Sequence, residues 1–102
     1  FVHPVGTVLG NARYGNFFAV YQNCTIGSGE DAIYPEFGEG VCLYARSAVI
    51  GRCRIGSNVI MGANTFVLNT DIASDTIVFG THPNLSRIPN HGSVRVSKFG
   101  MD

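Results

Sequence analysis

From Phe37 to Asn69 a large apolar residue returns at every sixth position: Phe37, Leu43, Val49, Ile55, Met61 and Val67. Four residues after each stand Val41, Ser47, Cys53, Val59, Thr65 and Asp71, of which the first five are small or β-branched. Three residues after each stand Gly40, Arg46, Arg52, Asn58, Asn64 and Thr70. Half of these are Gly or Asn, the residues that best tolerate a left-handed backbone corner. Strand alternation and the helical turn each have shorter periods, so neither gives a strict period of six. A hexapeptide β-helix does. Each unit is a short strand and a corner, three units close a triangular coil, and coils stack by parallel pairing. The expected fold is all-β, a left-handed parallel β-helix of about four coils.

The period also runs backwards through Val2, Val8, Tyr14, Val20 and Ile26, with Tyr14 and Phe18 large for a narrow prism. The two runs are out of phase. Ile26 to Phe37 is eleven residues, five more than one unit, and the surplus lies in GSGEDAIYPE. A ladder cannot absorb five residues, so a loop extruded at a corner is expected over 27–36. Such loops on a rigid scaffold often carry function. After Val67 the repeat fades. Thr76-Ile77-Val78-Phe79-Gly80 reads as a closing coil or as a strand leaving the prism. Beyond it, Pro83 and Pro89 exclude a long helix or a central strand. The expected organisation is a β-helix domain over 1–80 and an irregular C-terminal tail over 81–102, covering the coil end or a neighbouring subunit.

Counting units in threes places Val2, Val20, Leu43 and Met61 on one face. His3, Tyr21, Tyr44 and Gly62 form the next column, which sets His3 one coil below Tyr21. Pro4, Gln22, Ala45 and Ala63 form the column after that. A prism this small buries little apolar surface alone. Its outward residues include Tyr21, Tyr44, Ile50, Ile60, Phe66 and Leu68, too apolar for open solvent. The flat faces are therefore expected to pack between subunits, most simply in a homotrimer.

The 102 residues suit one domain, and the formal net charge of zero argues against a nucleic-acid partner or a polybasic membrane surface. Arg52 and Arg54 are the nearest approach to a basic cluster. No run approaches the length of a membrane span. The chain opens on Phe1 with no leader-like segment, which reads as a partial gene product. Cys24, Cys42 and Cys53 are odd in number and lack CxxC spacing, so they are read as reduced packing residues of a cytoplasmic protein.

With the repeat established, several segments together resemble the hexapeptide-repeat acyltransferases, and within them serine O-acetyltransferase. They are HPVGTVLG, YQNCTIGSG, the loop ending YPEFGEG, VIGRCRIGSNVIMGANTFVLN and VFGTHPNL. The repeat is specific for the fold and less so for the acceptor. The resemblance implies acetyl transfer from acetyl-CoA to a small hydroxyl acceptor, serine or a sugar, with His3 as general base. A neutral imidazole titrating near pH 6.5 or so suits that task. At the loop re-entry Tyr34 stands where the family has a second active-site His. Tyr34 can donate a hydrogen bond to substrate but cannot be cationic, and Tyr21 lies in the same column as His3. The family's carboxylate that orients the base lies upstream of any residue here, with Glu30, Asp31 and Glu36 on the loop as candidate substitutes. For acetyl-CoA the resemblance implies Gly27, Ala45 and Ala63, small residues along a groove between adjacent prisms.

Two other functions fit parts of the pattern. A metal-dependent lyase on this scaffold needs three converging His ligands. His3, His82 and His91 do not have coil spacing, so no metal is expected. A catalytically silent trimeric module would keep the prism without a complete site.

Overall fold

Strands of two or three residues joined by corners are what a six-residue unit permits, and the observed chain is built this way. The structure, a computed structural model, describes residues 8–9, 12–29 and 32–94. Its first face carries β2 (Ala19–Val20), β5 (Cys42–Leu43) and β8 (Ile60–Met61). The second carries β1 (Val8–Leu9), β3 (Thr25–Gly27), β6 (Ala48–Ile50) and β9 (Phe66–Leu68). The third carries β4 (Glu36–Phe37) and β7 (Arg54–Ile55). All these strands pair in parallel, coil on coil, in a left-handed β-helix.

Register accounts for the loop. Leu43 pairs with Met61, Val49 with Val67 and Phe37 with Ile55, each 18 residues apart. Val20 pairs with Leu43 and Ile26 with Val49, each 23 apart, so the coil between them carries five extra residues. They leave after Gly27, at the end of β3, and the chain re-enters at Glu36.

Two expectations about phase are corrected. Leu9, not Val8, pairs with Ile26, a separation of 17. The backward count therefore slips by one residue before Tyr14, and the arithmetic that set His3 below Tyr21 loses its premise. After Val67 the repeat slips rather than ends: Ile55 bridges to Ile72 and Met61 pairs with Val78, both 17 apart. Ile72 and Val78 are both buried and resume the six-residue step.

The corners show why Asn recurs. Asn23 (φ 60°), Arg46 (61°) and Asn64 (63°) turn the chain from the first face to the second. Phe17, Gly40, Asn58 and Asp75, all at positive φ, turn it from the third face to the first. At the remaining corner the left-handed residues are Gly51 (85°) and Asn69 (48°), one position earlier than the expected Arg52 and Thr70. Arg46 is the misfit of its column, because a left-handed backbone crowds its Cβ. Its guanidinium Nε donates to Asn64 Oδ1 at 2.9 Å, an exposed bond that offsets little. Arg46→Asn is expected to stabilise the fold by about 0.5–1 kcal/mol, read as a rise of a few degrees in thermal midpoint.

The core is one stack of inward side chains. Val20, Leu43, Met61 and Val78 line the first face, Ile26, Val49 and Val67 the second, and Phe37, Ile55 and Ile72 the third. The large residues of the irregular quarter fit because they pack on each other. Tyr14 stacks on Phe37 at 5.6 Å between centroids, and Phe18 tilts against both rings at 5.0 Å. Small polar residues are satisfied at the corners: Ser47 Oγ reaches Tyr44 O at 2.7 Å and Thr65 Oγ1 reaches Gly62 O at 2.7 Å. On the third face the coils come closest at Gly15, Gly38 and Gly56. A Cβ on Gly15 would lie 2.6 Å from the Gly38 carbonyl carbon, and one on Gly38 2.8 Å from that of Gly56.

The region expected to be an irregular tail is more ordered at its start. β10 (Thr76–Thr81) continues both the first and second faces, pairing with β8 and β9. β11 (Asn84–Pro89) folds back on it as an antiparallel edge strand. An edge strand tolerates its terminal Pro89, which a central strand would not.

Candidate active site

The six residues singled out by sequence fall into separate places. His3 lies outside the described residues, as do Glu30 and Asp31 of the loop. Tyr21 and Tyr44 stack face to face on the outside of the first face, with centroids 5.0 Å apart and planes within 7°. Alternation within a strand explains their position: Val20 and Leu43 point inward, so the next residues point out.

Ala45 and Ala63 lie at the adjoining corner, one above the other. Each is the second residue of a four-residue turn. Ser47 N closes the lower turn on Tyr44 O and Thr65 N closes the upper on Gly62 O, both at 3.3 Å. Asn64 N links the two turns through Ala45 O at 3.0 Å. Neither Ala45 N nor Ala63 N has an acceptor among the described residues. Two amide donors one coil apart, on a half-buried and an exposed alanine, can receive the carbonyls of an extended amide chain.

Gly27 sits one strand further on, where the loop leaves. Its carbonyl accepts from Gly51 N at 2.9 Å. Among the described residues a Cβ there would meet only Ile50 Cδ1, at an ordinary 3.5 Å. The loop is closed by short backbone bonds, Ala32 N to Gly29 O at 3.2 Å and Gly29 N to Ile33 O at 3.3 Å.

Tyr34 returns from the loop onto a cleft on the third face, about 370 Å³ in volume. The cleft is lined by Ile33, Tyr34, Glu36, Arg52, Cys53, Arg54 and Asp71. Arg52 and Arg54 stand out in the sequence as the nearest approach to a basic cluster, but the spacing does not gather the rest of this set. The signal is the outward row of the third face, where Arg13, Glu36, Arg54 and Asp71 alternate in sign from coil to coil. Arg13, Glu36 and Arg54 keep the expected step, and Asp71 alone is one residue short of it. Asp71 Oδ1 accepts from Arg54 N at 2.9 Å, and among the described residues no ion pair forms between the cleft's arginines and carboxylates. The cleft can therefore meet ligand charge of either sign.

Cys53 lines this cleft, and Cys24 and Cys42 lie elsewhere on the prism. All three are free and buried. Burial raises the Cys24 and Cys53 thiols above their ordinary value, so at neutral pH both stay protonated. No group of three His, Cys, Asp or Glu side chains able to hold a metal occurs among the described residues. His82 approaches Thr70 Oγ1 through Nδ1 at 3.3 Å, and His91 is exposed. No described helix is long and apolar enough to cross a membrane.

Comparison with known proteins bears on this geometry. No protein-family model matches the chain. Serine acetyltransferase of Staphylococcus xylosus is 35% identical over 80 residues, covering 74% of this chain and 37% of that protein. Serine acetyltransferase of Staphylococcus epidermidis is 34% identical over 93 residues, covering 87% of this chain and 40% of that protein. The chain thus spans about two fifths of the curated relatives it matches. Among solved structures, serine acetyltransferase isoform 3 of Entamoeba histolytica, in complex with cysteine, superposes with a TM-score of 0.67 at 39% identity. That match covers 78% of this chain and 29% of that one. A maltose O-acetyltransferase from Clostridium difficile matches with a TM-score of 0.54 at 17% identity, over 88% of this chain and 68% of that one, and supports the fold alone.

Proposed function

We propose, from the premise that this chain is a hexapeptide-repeat β-helix of the acyltransferase type resembling serine acetyltransferase, that it is an acetyl-CoA-dependent O-acetyltransferase. The acceptor is a small molecule with a free hydroxyl, serine or a sugar. The observation that carries this reading is the pair of stacked, unpaired amide donors at Ala45 and Ala63 beside the Tyr21–Tyr44 column. An extended pantetheine arm presents amide groups of the kind those donors can bind, and Gly27, where the loop leaves, continues the path. His3 acts as general base. It takes the proton of the acceptor hydroxyl as that oxygen attacks the thioester carbonyl, and CoA leaves as the thiol. Tyr34 and Tyr21 bind the acceptor.

The Ala45–Ala63 corner and the Tyr34 cleft lie on different faces of one prism. Packing of copies as a homotrimer would bring the corner of one against the cleft of the next and so join them. A cytoplasmic location supplies acetyl-CoA and suits three reduced thiols.

Thiol release from acetyl-CoA with a panel of serine, sugars and amines tests the reading. Release dependent on a hydroxyl acceptor is expected. Acetyl-CoA binding without release to any acceptor rejects the transferase and leaves the silent trimeric module.

A further inference from the structure

The third-face cleft holds two cations and two anions, and strand register sorts them into two rows. Glu36 pairs with Arg54, and the bridge from Ile55 to Ile72 sets Asp71 beside Arg54 in the next coil. Arg54 therefore stands between two carboxylates. Two residues earlier on each coil stand Tyr34, Arg52 and Asn69, and Asn69 Oδ1 accepts from Arg52 N at 2.9 Å. The row neighbours of Arg52 are thus a phenol and a carboxamide, and neither is a carboxylate.

The two arginines differ accordingly. Adjacent strands lie about 4.8 Å apart, a range at which flanking carboxylates offset much of the field of Arg54. No carboxylate flanks Arg52 in its row. Both arginines are exposed, and among the described residues neither guanidinium has a hydrogen-bond or ion-pair partner. Between them Cys53 turns inward and is buried, its thiol donating to Ile50 O at 3.3 Å. The cleft's volume of about 370 Å³ is of the order a small metabolite needs. A planar guanidinium beside a phenol hydroxyl is a donor set for the oxygens of a carboxylate or a phosphate.

We propose that Arg52, with Tyr34, holds an anionic group on the acceptor, so that the cleft takes hydroxyl compounds bearing a carboxylate or a phosphate and discriminates against neutral sugars. The presence of the acceptor in this cleft rests on the reading above, in which Tyr34 contacts it. Arg52 sets specificity and moves no proton.

Calorimetry of the full chain without acetyl-CoA tests this with two pairs of probes. Serinamide keeps the hydroxyl and amine of serine and loses its carboxylate, and glucose 6-phosphate adds an anion to glucose. In at least one pair the anionic member is expected to bind about tenfold or more tighter than its counterpart. A preference within the serine pair identifies a carboxylate, and one within the sugar pair a phosphate. Arg52→Gln should reduce that member to the level of its counterpart. Arg87→Gln removes the same charge from an exposed position on β11, outside the cleft, and should leave binding unchanged. In acetyl transfer, Arg52→Gln should raise KM for the anionic acceptor by a similar factor with kcat little changed. The proposal is overturned if none of the four probes binds, if both pairs bind without regard to the anion, or if the two arginine variants behave alike. Anion-selective binding without acetyl transfer would reject the transferase and leave this site standing. Transfer to glucose as efficient as to the anionic probes would do the reverse.

Discussion

His3→Ala is expected to lower kcat/KM for acetyl transfer by about 10²- to 10⁴-fold, the usual worth of a positioned general base. The circular dichroism of the variant is compared with wild type, so that a loss of fold is told apart from a loss of the base. The pH profile separates a base from a merely nearby side chain. A base must be neutral to accept the hydroxyl proton, so wild-type kcat/KM should climb with rising pH and then level. In His3→Ala that limb should vanish, and the residual rate should follow hydroxide instead. A variant that keeps the wild-type rate and its limb removes His3 from the mechanism. Acetyl-CoA affinity, measured by calorimetry, should be the same in both proteins, because the proposed contacts of the cosubstrate lie at Gly27, Ala45 and Ala63.

Leu43→Ala is expected to destabilise the prism by about 2–5 kcal/mol. Leu43 is fully buried between Val20 below and Met61 above. Both neighbours are held by strand pairing, so the site cannot collapse and the cavity stays open. A domain of this size has only about 5–15 kcal/mol in total, so the loss is a large share. Thermal unfolding should shift down by roughly 10–30 °C, at about 4–8 °C per kcal/mol. A shift of a degree or two would mean that the coils breathe enough to refill the gap, and that the stack is not the source of stability. Comparison with Arg46→Asn, expected to move the midpoint the other way, places both effects on one scale.

The period of six was legible because it is written in every unit. Phe37 to Val67 needed no tertiary information to give the strand length, the three faces and the order in which they stack. The loop was legible for the same reason: a surplus of five residues cannot be hidden in a strict repeat. The Tyr21–Tyr44 stack followed from the same count. The slips were not legible. Shortening one corner by a single residue leaves its local composition ordinary and changes only which residue faces which, a full coil away. That is why Leu9 replaced Val8, why the repeat faded after Val67, and why Asp71 fell out of line with Arg13, Glu36 and Arg54.

By itself, the sequence determined the left-handed prism, its faces, its one extruded loop and the inward thiols, because each depends on spacing within and between neighbouring units. The tertiary structure alone decided three things: the register at both ends, the cleft that gathers Tyr34 with Arg52 and Arg54, and the return of residues 90–94 over Ala19 and Cys42. These depend on bonds between residues far apart in the chain, such as Asn58 with Asn90, Gly92 and Val94. An asparagine that satisfies a corner carries no local mark of the distant backbone it also holds.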